Sequence, residues 1–504
     1  MTRKTLLTYG LIAVCLLPLY LLRDYTPANE LRYLSIADEA WRDGHFLVFS
    51  NHGDPYADKP PLFLWIVMAV RLLPAWLQHV AFAIVGLVPA IVMTEVAAGM
   101  ARLSQEGRTA FRLIMFSTSL TLVSMLTLRM DMLMTMFIVL AVAEFARLYR
   151  CGRPHESWRL PVYVFLAVFT KGGVGFIVPF AVILAFLVIK GRTSDFFRYV
   201  GPRSWTLLLS LFGLWFLGVY LEGGGTYLYD LTVHQTLGRT FHSFHHRQPF
   251  YYYFYMIWPL LMPWSLWVVA SVIRSLKGRS LQTDSARLMT IATLTVFVVL
   301  SLVSSKLSIY LLPLVPFALA VAVGTQNVGR KTMLTSLSVP YLLLLAVMPA
   351  YLYIIYRADG MGPFNIPLLW LATLAVTVGA AVGLVVLWWG RTARSISIVA
   401  SSLLVCAFFV GLAMPKINPF IGYRDLCQAG GELSRQHGGA RIVTVGINRS
   451  ENMDVWLGYS PRKVDGKEAS RLHHIVVLLS EKKESVMRGM PVWRVGNHFV
   501  AYVK

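Results

Sequence analysis

The sequence predicts a polytopic α-helical membrane protein with about 13 transmembrane helices and a small C-terminal α+β domain. Hydrophobic residues make up 56% of the 504 residues, whereas charged residues make up only 14%. A water-soluble fold of this length would expose too much apolar surface. The apolar residues also form separate runs, many of them close to the roughly 20 residues that cross a bilayer as a helix.

Short polar turns separate the runs that are candidate spans. These runs are residues 5–22, 78–101, 110–128, 130–148, 159–170, 174–190, 204–221, 253–273, 287–304, 307–323, 333–355, 366–389 and 395–413. The first run is expected to be a retained helix, because no small-residue cleavage site follows it. The run 61–74 is short and contains Arg71 and Pro74, which favours a re-entrant or interfacial helix over a full span.

The basic residues predict how the helices are oriented. With the N-terminus inside, every second turn is rich in Arg or Lys, as the positive-inside rule requires. The first loop, 23–77, and the loop 222–252 then lie on the outer, periplasmic side. The same rule accounts for the net charge of +21, so no nucleic-acid partner is expected. The four cysteines show neither a disulfide framework nor the spacing of a zinc site.

The transmembrane domain is expected to cover residues 1–414, and a periplasmic α+β domain residues 415–504. Glycine and charged residues become more frequent in this tail, and short alternating runs predict strands there. The predicted strands are Arg441–Val445, His474–Leu479, Pro491–Val495 and Phe499–Val503, and the predicted helices are Gly422–Gln436 and Ser480–Arg488.

Two groups of polar residues in the first loop are candidates for a site. Asn29 can cap a helix that runs from Glu30 to Arg42. Glu30 is then either an active-site acid or an acid that the helix dipole favours in the first turn. In the second group, Asp58-Lys59-Pro60-Pro61, Lys59 either binds a phosphate as a point charge or extends from a helix end towards water.

Three further outer-side residues are not explained by membrane insertion. Asp131 follows Arg129 at the start of an apolar helix, where a carboxylate requires a partner or a function, and Arg129 could be that partner. Lys171 and Lys306 are basic residues on the side where the positive-inside rule does not place them. Together with Lys59, they could surround the phosphate of a leaving group.

The loop 222–252 contains basic and aromatic residues in close succession. They are His234, Arg239, His242, His245, His246 and Arg247, followed by Pro249-Phe250-Tyr251-Tyr252-Tyr253. The histidine spacing matches no standard metal site and no acids lie nearby, so anion contacts and an aromatic interface belt are the preferred interpretation. No metal or other cofactor is therefore indicated, although a divalent metal is not ruled out.

Five motifs, in this order and spacing, resemble the GT-C glycosyltransferases of the protein O-mannosyltransferase and lipid A aminoarabinose transferase superfamily. They are Glu30-Leu31-Arg32-Tyr33, Asp58-Lys59-Pro60, Arg129-Met130-Asp131, Thr170-Lys171-Gly172 and Lys306-Leu307-Ser308-Ile309-Tyr310-Leu311-Leu312-Pro313. The resemblance covers roughly the first 320 residues, and the tail resembles the periplasmic domain of the aminoarabinose branch. The family usually has two adjacent acids before the Arg-Tyr pair, whereas the first of these positions is Asn29 here.

The resemblance implies a bacterial inner-membrane enzyme of GT-C type that transfers a sugar, with inversion, from undecaprenyl phosphate to an extracytoplasmic acceptor such as lipid A or another envelope glycan. By resemblance, Lys59, Lys171, Lys306 and Tyr310 would hold the donor phosphate. Either Glu30 or Asp131 would be the catalytic base or orient the acceptor. Other substrate contacts are expected from Arg32, Tyr33, Asp58, His234, Arg239 and Arg247.

Three other functions remain open at this stage. One is a protein O-glycosyltransferase, and another is a transporter or flippase of lipid-linked sugars. Transporters place polar groups at the bilayer midplane, often within inverted repeats, whereas here these groups gather on one face and no repeat is evident. A third is an assembly protein whose tail binds partners. The expected partners are a sugar donor, a lipid or glycan acceptor and membrane lipid, and the chain is expected to be a monomer.

Overall fold

The structure is a computed structural model that describes residues 2–152, 154–233, 247–277, 283–324, 329–357, 364–483 and 491–504. Its described helices are α1 (Arg3–Leu22), α2 (Arg32–Asp43), α3 (Pro61–Arg71), α4 (Ala75–Met100), α5 (Gln105–Ser117), α6 (Ser119–Leu126), α7 (Asp131–Arg150), α8 (Arg159–Lys171), α9 (Val174–Ile189), α10 (Phe196–Tyr199), α11 (Pro202–Tyr229), α12 (Tyr252–Leu260), α13 (Ser265–Lys277), α14 (Asp284–Leu302), α15 (Val315–Gly324), α16 (Arg330–Leu345), α17 (Val347–Arg357), α18 (Pro367–Trp388), α19 (Thr392–Ile421), α20 (Arg424–Gln436), α21 (Asp454–Leu457) and α22 (Gly466–Ala469). The strands are β1 (Ser50–Asn51), β2 (Asp54–Pro55), β3 (Arg441–Val445), β4 (Arg462–Lys463), β5 (Ile475–Ser480), β6 (Val492–Val495) and β7 (His498–Val503).

The protein is a multi-pass membrane protein, as the sequence predicted. Among the described residues, 8 helical segments are long and apolar enough to cross a membrane. They are α1, α4, α7, α11, α14, the successive helices α16 and α17, α18 and α19. Helices α5 and α6 pass the same test together but meet at an angle of 62°, and counting them as one span gives 9.

The expected number of about 13 spans is not confirmed, although the predicted segments are helical. Helix α8 has 13 residues and α9 has 16, which is shorter than the roughly 20 residues that a full crossing needs. The predicted span 307–323 divides into a 3₁₀ segment, Ser308–Leu314, and α15. Hydropathy identified these segments as apolar, but it did not show where each helix breaks.

The first loop contains two helices and a short hairpin. A π-helical turn, Pro27–Leu31, precedes α2. Thr26 occupies the N-cap position of this turn. The prediction that Asn29 caps the helix is therefore wrong, because the helical conformation begins before that residue. Strands β1 and β2 form the hairpin, and α3 follows the Asp58-Lys59-Pro60 segment.

The C-terminal domain has a five-stranded mixed sheet, in the order β4-β3-β5-β7-β6. Strand β3 is parallel to β4 and β5, whereas β7 is antiparallel to β5 and β6. The small C-terminal α+β domain is thereby confirmed, and the four strands and the first helix lie close to where the sequence predicted them. The second predicted helix, Ser480–Arg488, falls largely outside the described residues. The division at residues 414 and 415 stays a prediction, and α19 continues to Ile421.

The two largest of the four apolar clusters in the described part of the chain determine how the parts pack. The larger core lies among the long helices and includes Phe111, Phe145 and Trp264. The second joins the first loop to the C-terminal domain, for example through Phe63 and Val476. The tail domain therefore packs directly on the loop that carries the first two sequence motifs.

Polar contacts reinforce this packing between the first loop and the tail domain. The Ser35 hydroxyl donates to an Asp454 carboxylate oxygen at 2.6 Å, and the side-chain amide of Asn452 donates to the carbonyl of Pro27 at 3.0 Å. The pKa of Asp454 is raised because the carboxyl group is buried. The loop conformation near the first motif thus depends on residues more than 400 positions away in the sequence.

Candidate active site

A cavity of about 490 Å³ opens where the first loop meets α8, α9, α11 and α14. Its polar lining comes from Asp58, Lys59, Lys171, Ser305 and Tyr310. Its apolar lining includes the aromatic residues Phe176, Phe212, Trp215, Phe216 and Tyr253. Residues from three of the sequence motifs thus surround one chamber with a cationic part and an aromatic part.

A compact ionic group lies beside this cavity. The Lys171 ammonium contacts one carboxylate oxygen of Asp131, and the Arg129 guanidinium lies 3.3 Å from the other. The Lys171 ammonium also lies over the ring of Tyr310, 4.1 Å from its centroid. Asp131 is almost completely buried, so its charge is balanced by two cations rather than by water.

Local backbone geometry presents Lys171 and Tyr310 to each other. Helix α8 ends at Lys171, and Gly172 then adopts a positive φ of 97°, which glycine tolerates without strain. Tyr310 lies in the 3₁₀ segment. The Tyr253 hydroxyl donates at 3.1 Å to the carbonyl of Leu307, the residue immediately before this segment. A helix end and a short tight helix therefore fix the cation and the ring.

The first-loop hairpin determines where Asp58 and Lys59 lie. The buried carboxylate of Glu39 accepts hydrogen bonds from the Ser50 hydroxyl at 2.6 Å and from the backbone N–H groups of His52 and Gly53 at 2.6 and 2.9 Å. One acid on α2 thus holds the first strand and the turn of the hairpin. The chain leaves this hairpin directly into the segment that lines the cavity.

Glu30 lies apart from the cavity in a network of its own. Arg23 donates to both carboxylate oxygens, at 2.8 and 2.6 Å, and the backbone N–H of Leu128 donates to one of them at 2.7 Å. Thr26 donates to the other oxygen from its backbone and its hydroxyl, both at 2.8 Å. Burial raises the pKa of Glu30, but Arg23 and these hydrogen bonds outweigh it, so the pKa lies below its ordinary value.

The expectation that Glu30 is the catalytic base stays a prediction, and the carboxylate lies away from the cavity. Its carboxylate joins the end of α1, the first loop and the segment after α6. The side chain lines a small separate pocket with Arg23, His79 and Arg129, and it does not line the large cavity. The other expected acid, Asp131, also lies behind the cavity wall and reaches it through Lys171. Of the three acids in the sequence motifs, only Asp58 is among the lining residues.

Lys306 and Arg247 lie at the edge of the site rather than in its lining. Lys306 is only 3% exposed, and its ammonium donates to the carbonyl of Gln248 at 3.1 Å. Burial lowers the pKa of Lys306. Arg247 is exposed and forms a β-bridge with Ser305, which does line the cavity. His234 and Arg239, the other residues expected in this loop, lie outside the described residues.

Arg32 and Tyr33 lie in the first loop next to the site, but not in the cavity lining. The Arg32 guanidinium lies 5.7 Å from the ring centroid of Tyr33 and 5.6 Å from that of Tyr56. Its Nε atom is buried and has no hydrogen-bond partner among the described residues. Asn29 accepts only a long contact of 3.5 Å from Arg32, where the family's usual acid would offer a full negative charge.

Sequence reasoning missed the aromatic lining of the cavity. Phe176, Phe212, Trp215 and Phe216 belong to apolar helices, where aromatic residues are common and carry no separate signal. Only the fold brings α9 and α11 against the first loop. In the described part of the chain, no group of three or more His, Cys, Asp or Glu side chains could hold a metal ion.

The chain spans slightly less than two thirds of the length of each of two curated relatives that it matches. An uncharacterized protein of Aquifex aeolicus is 26% identical over 343 residues, covering 66% of this chain and 66% of that protein. The undecaprenyl phosphate-alpha-4-amino-4-deoxy-L-arabinose arabinosyl transferase of Shewanella sediminis is 26% identical over 329 residues, covering 62% of this chain and 58% of that protein. No protein-family model matches the chain.

Solved structures match over nearly the entire chain. ArnT from Cupriavidus metallidurans bound to undecaprenyl phosphate superposes with a TM-score of 0.74 at 15% identity, covering 99% of this chain and 97% of that one. This chain has the fold of ArnT. The apo ArnT structure matches with a TM-score of 0.71 at 16% identity. The resemblance to GT-C glycosyltransferases is thus confirmed for the fold, including the C-terminal domain that ArnT shares.

Proposed function

We propose that this protein is an integral-membrane glycosyltransferase that moves a sugar from an undecaprenyl phosphate donor to an extracytoplasmic acceptor, such as lipid A or another envelope glycan. The observation that carries the proposal is the cavity in which Lys59, Lys171 and Tyr310 adjoin an aromatic chamber. The ArnT fold supports it, since one matching ArnT structure contains undecaprenyl phosphate. The Shewanella relative, whose name specifies this donor, supports it too.

The cationic part of the cavity suits the donor phosphate. Lys59 and Lys171 both line it, and each ammonium can neutralise negative charge as a compact point charge. Asp131 and the Tyr310 ring hold Lys171 in one place. A cation that is already oriented stabilises developing charge without the cost of reorganisation.

The transfer is a single inverting displacement at the anomeric carbon. The acceptor oxygen forms a bond to this carbon while the bond to the phosphate oxygen breaks, and the electron pair of that bond leaves with the phosphate. The growing charge on the phosphate is what Lys59 and Lys171 would stabilise. The phosphate is already a good leaving group, so electrostatic stabilisation and orientation supply most of the catalysis.

The roles of the three motif acids follow from where they lie. Asp58 lines the cavity, so we assign to it the contact with the acceptor and the removal of a proton from an acceptor hydroxyl. Asp131 orients Lys171. Glu30 holds the first loop in place through Arg23 and Leu128.

The aromatic part of the cavity suits the polyprenyl chain of the donor. Phe176, Phe212 and Phe216 offer apolar surface next to the cationic part, as a ligand with a charged head and an apolar tail requires. The two parts adjoin within one chamber, so a single lipid-linked sugar phosphate can occupy both.

We further propose that the active site faces the periplasm from the inner membrane. Asp131, at the start of α7, and Lys171, at the end of α8, lie at one end of the helical body. Arg147, Arg150 and Arg159 lie at the opposite ends of the same two helices. The positive-inside rule assigns the Arg-rich end to the cytoplasm, which leaves the cavity on the other side.

A transfer assay with purified protein tests this function. The donor is an undecaprenyl phosphate-linked sugar labelled in the sugar, and the acceptor is lipid A in detergent micelles. The proposal expects labelled acceptor and free undecaprenyl phosphate in equal amounts. Movement of intact donor across proteoliposomes with no cleavage would instead identify a carrier and overturn the proposal.

A further inference from the structure

The carboxylate of Glu222, near the end of α11, binds the backbone of the first loop. It accepts hydrogen bonds from the N–H groups of Phe46 at 2.8 Å, Leu47 at 3.1 Å and Val48 at 3.1 Å. Three consecutive backbone donors therefore converge on one acid more than 170 residues away in sequence. Hydrogen bonds to a charged acceptor are stronger than those between neutral groups.

Tyr227 follows a break in α11 at Gly224, where φ is 71°, and it binds the loop at two more positions. Its hydroxyl accepts from the N–H of Phe49 at 3.0 Å and donates to the carbonyl of Tyr56 at 2.9 Å. Tyr56 is two residues before Asp58 and three before Lys59. The hydroxyl thus connects the two sides of the β1–β2 hairpin immediately before the chain enters the cavity wall.

A glycine lets the loop lie directly on α11. A Cβ atom at Gly223 would come within 2.5 Å of the Val48 side chain, which is closer than real contacts allow. The buried side chain of Val219 packs on the same side, in a cluster that also contains Ala57. Loop and helix therefore form one packed unit that extends to the residue before Asp58.

The part of α11 before the break, which carries Glu222, also forms part of the cavity wall. Phe212, Trp215 and Phe216 of α11 line the cavity, and so do Asp58 and Lys59 of the first loop. Glu222, which precedes the break in α11, thus joins the wall helix to residues 46–48 of the loop, and Tyr227, which follows the break, joins the loop at Phe49 and Tyr56.

We infer that Glu222 and Tyr227 are positioning residues that hold the Asp58–Lys59 segment at a fixed distance from the aromatic wall of α11. This inference rests on the proposed function, since its consequence is that Lys59 meets the donor phosphate while the polyprenyl chain lies on α11. Neither residue touches the substrate. The position of Lys59 has to be fixed in this way, because a small displacement of a catalytic group reduces the reaction rate strongly.

The test compares Tyr227→Phe with Tyr229→Phe, a matched control whose side chain is exposed on the same helix. Undecaprenyl phosphate is the probe, and its Kd is measured with purified, full-length protein. Loss of the hydroxyl leaves a buried N–H and a buried carbonyl without their partner, so Tyr227→Phe should raise the Kd about tenfold. Tyr229→Phe should leave it unchanged. Hydrogen exchange of the segment 54–60 should accelerate in Tyr227→Phe only.

A double-variant cycle shows whether Tyr227 acts through Lys59. With Lys59→Ala already present, Tyr227→Phe should have no further effect on the Kd, because the group that it positions is gone. Additive effects would overturn the inference. Glu222→Gln, which keeps the shape of the side chain, should also raise the Kd for undecaprenyl phosphate. If Tyr227→Phe does not fold, the comparison is made with Glu222→Gln instead.

The outcomes separate this inference from the proposed function. If the wild-type protein does not bind undecaprenyl phosphate, the proposed function fails, and the inference that rests on it fails too. If the wild type binds it, but Tyr227→Phe and Glu222→Gln bind equally well and exchange hydrogen at the wild-type rate, only the positioning role is wrong.

Discussion

The Lys171 ammonium lies 4.1 Å from the ring centroid of Tyr310 while it contacts the carboxylate of Asp131. The aromatic ring and the acid come from different parts of the chain, and both favour the charged form of the lysine. Lys171 is thereby oriented towards the cavity before any substrate arrives. This arrangement gives Asp131 a role that does not require it to touch the sugar.

Replacing Asp131 by Asn should lower sugar transfer about 100-fold, because Lys171 loses the charge that orients it. The Asn side chain has nearly the same shape, but Lys171 and Arg129 then remain without their acid, so the variant should also be less stable. Transfer rates are measured per amount of monodisperse purified protein. Asp43→Asn, at the exposed end of α2, is the control. Wild-type activity in Asp131→Asn would rule out this role.

Replacing Lys59 by Ala should remove one of the two cations that line the cavity. We expect transfer to fall by a factor of about 100, since a single oriented donor to a developing charge contributes 10²–10³ in rate. Binding of undecaprenyl phosphate, measured by titration, should weaken as well. Lys331→Ala removes an exposed cation elsewhere and should have no effect. Equal behaviour of the two variants would show that Lys59 is not part of the site.

Replacing Glu30 by Gln should destabilise the fold rather than act on the chemistry alone. Arg23, whose side chain is 14% exposed, would remain without its acid, which costs up to about 3 kcal/mol. The pKa of Glu30 is lower in the folded protein than its ordinary value of 4.5. Glu30 therefore stabilises the fold fully above pH 4.5, and this stabilisation is lost as the pH falls through the pKa of the folded state. Melting curves of both proteins between neutral and acidic pH measure this. The melting temperature of the wild type should fall more steeply at acidic pH than that of the variant, because only the wild type loses the stabilisation from Glu30. Melting temperatures that change in parallel with pH would contradict this expectation.

Asp24 should give stability the opposite dependence on pH, because its pKa is raised rather than lowered. Burial raises its pKa to about 6, from an ordinary value of 3.8, although it accepts hydrogen bonds from the N–H groups of Tyr25 and Arg424. Its contribution is therefore largest below 3.8 and is lost as pH rises through about 6, by about 3 kcal/mol in total.

The difference in melting temperature between the wild type and Asp24→Asn isolates this contribution of Asp24. Between pH 3.8 and 6, it should shift in favour of the variant as the pH rises. A constant difference over this window would show that the carboxyl group does not retain its proton in the folded protein.

The sequence predicted the membrane fold and the C-terminal α+β domain, and it singled out four of the residues that line the cavity, namely Asp58, Lys59, Lys171 and Tyr310. Lys59, Lys171 and Lys306 were recognised because each is a cation that membrane insertion does not explain. The structure brings Lys59 and Lys171 into one cavity and Lys306 to its edge. Charge in an apolar environment is costly, and this is why such residues can be identified without a structure.

The roles of the acids could not be predicted in the same way. For Glu30, the sequence left an active-site acid and a first-turn helix acid open, because nothing in it shows that Arg23 and Leu128 meet the carboxylate. Glu222 and Tyr227 were not singled out at all, since a lone acid and a lone tyrosine at the end of an apolar helix have no recognisable pattern. Their functions depend on contacts between segments far apart in sequence.

The central claim is that Lys59 and Lys171 together bind the phosphate of an undecaprenyl-linked donor. The most direct measurement is a cryo-electron microscopy structure of this protein with undecaprenyl phosphate bound. The account predicts phosphate oxygens within about 3 Å of both ammonium groups, with the polyprenyl chain against Phe212 and Phe216. A phosphate bound elsewhere, with Lys59 and Lys171 unchanged and remote from it, would contradict the account.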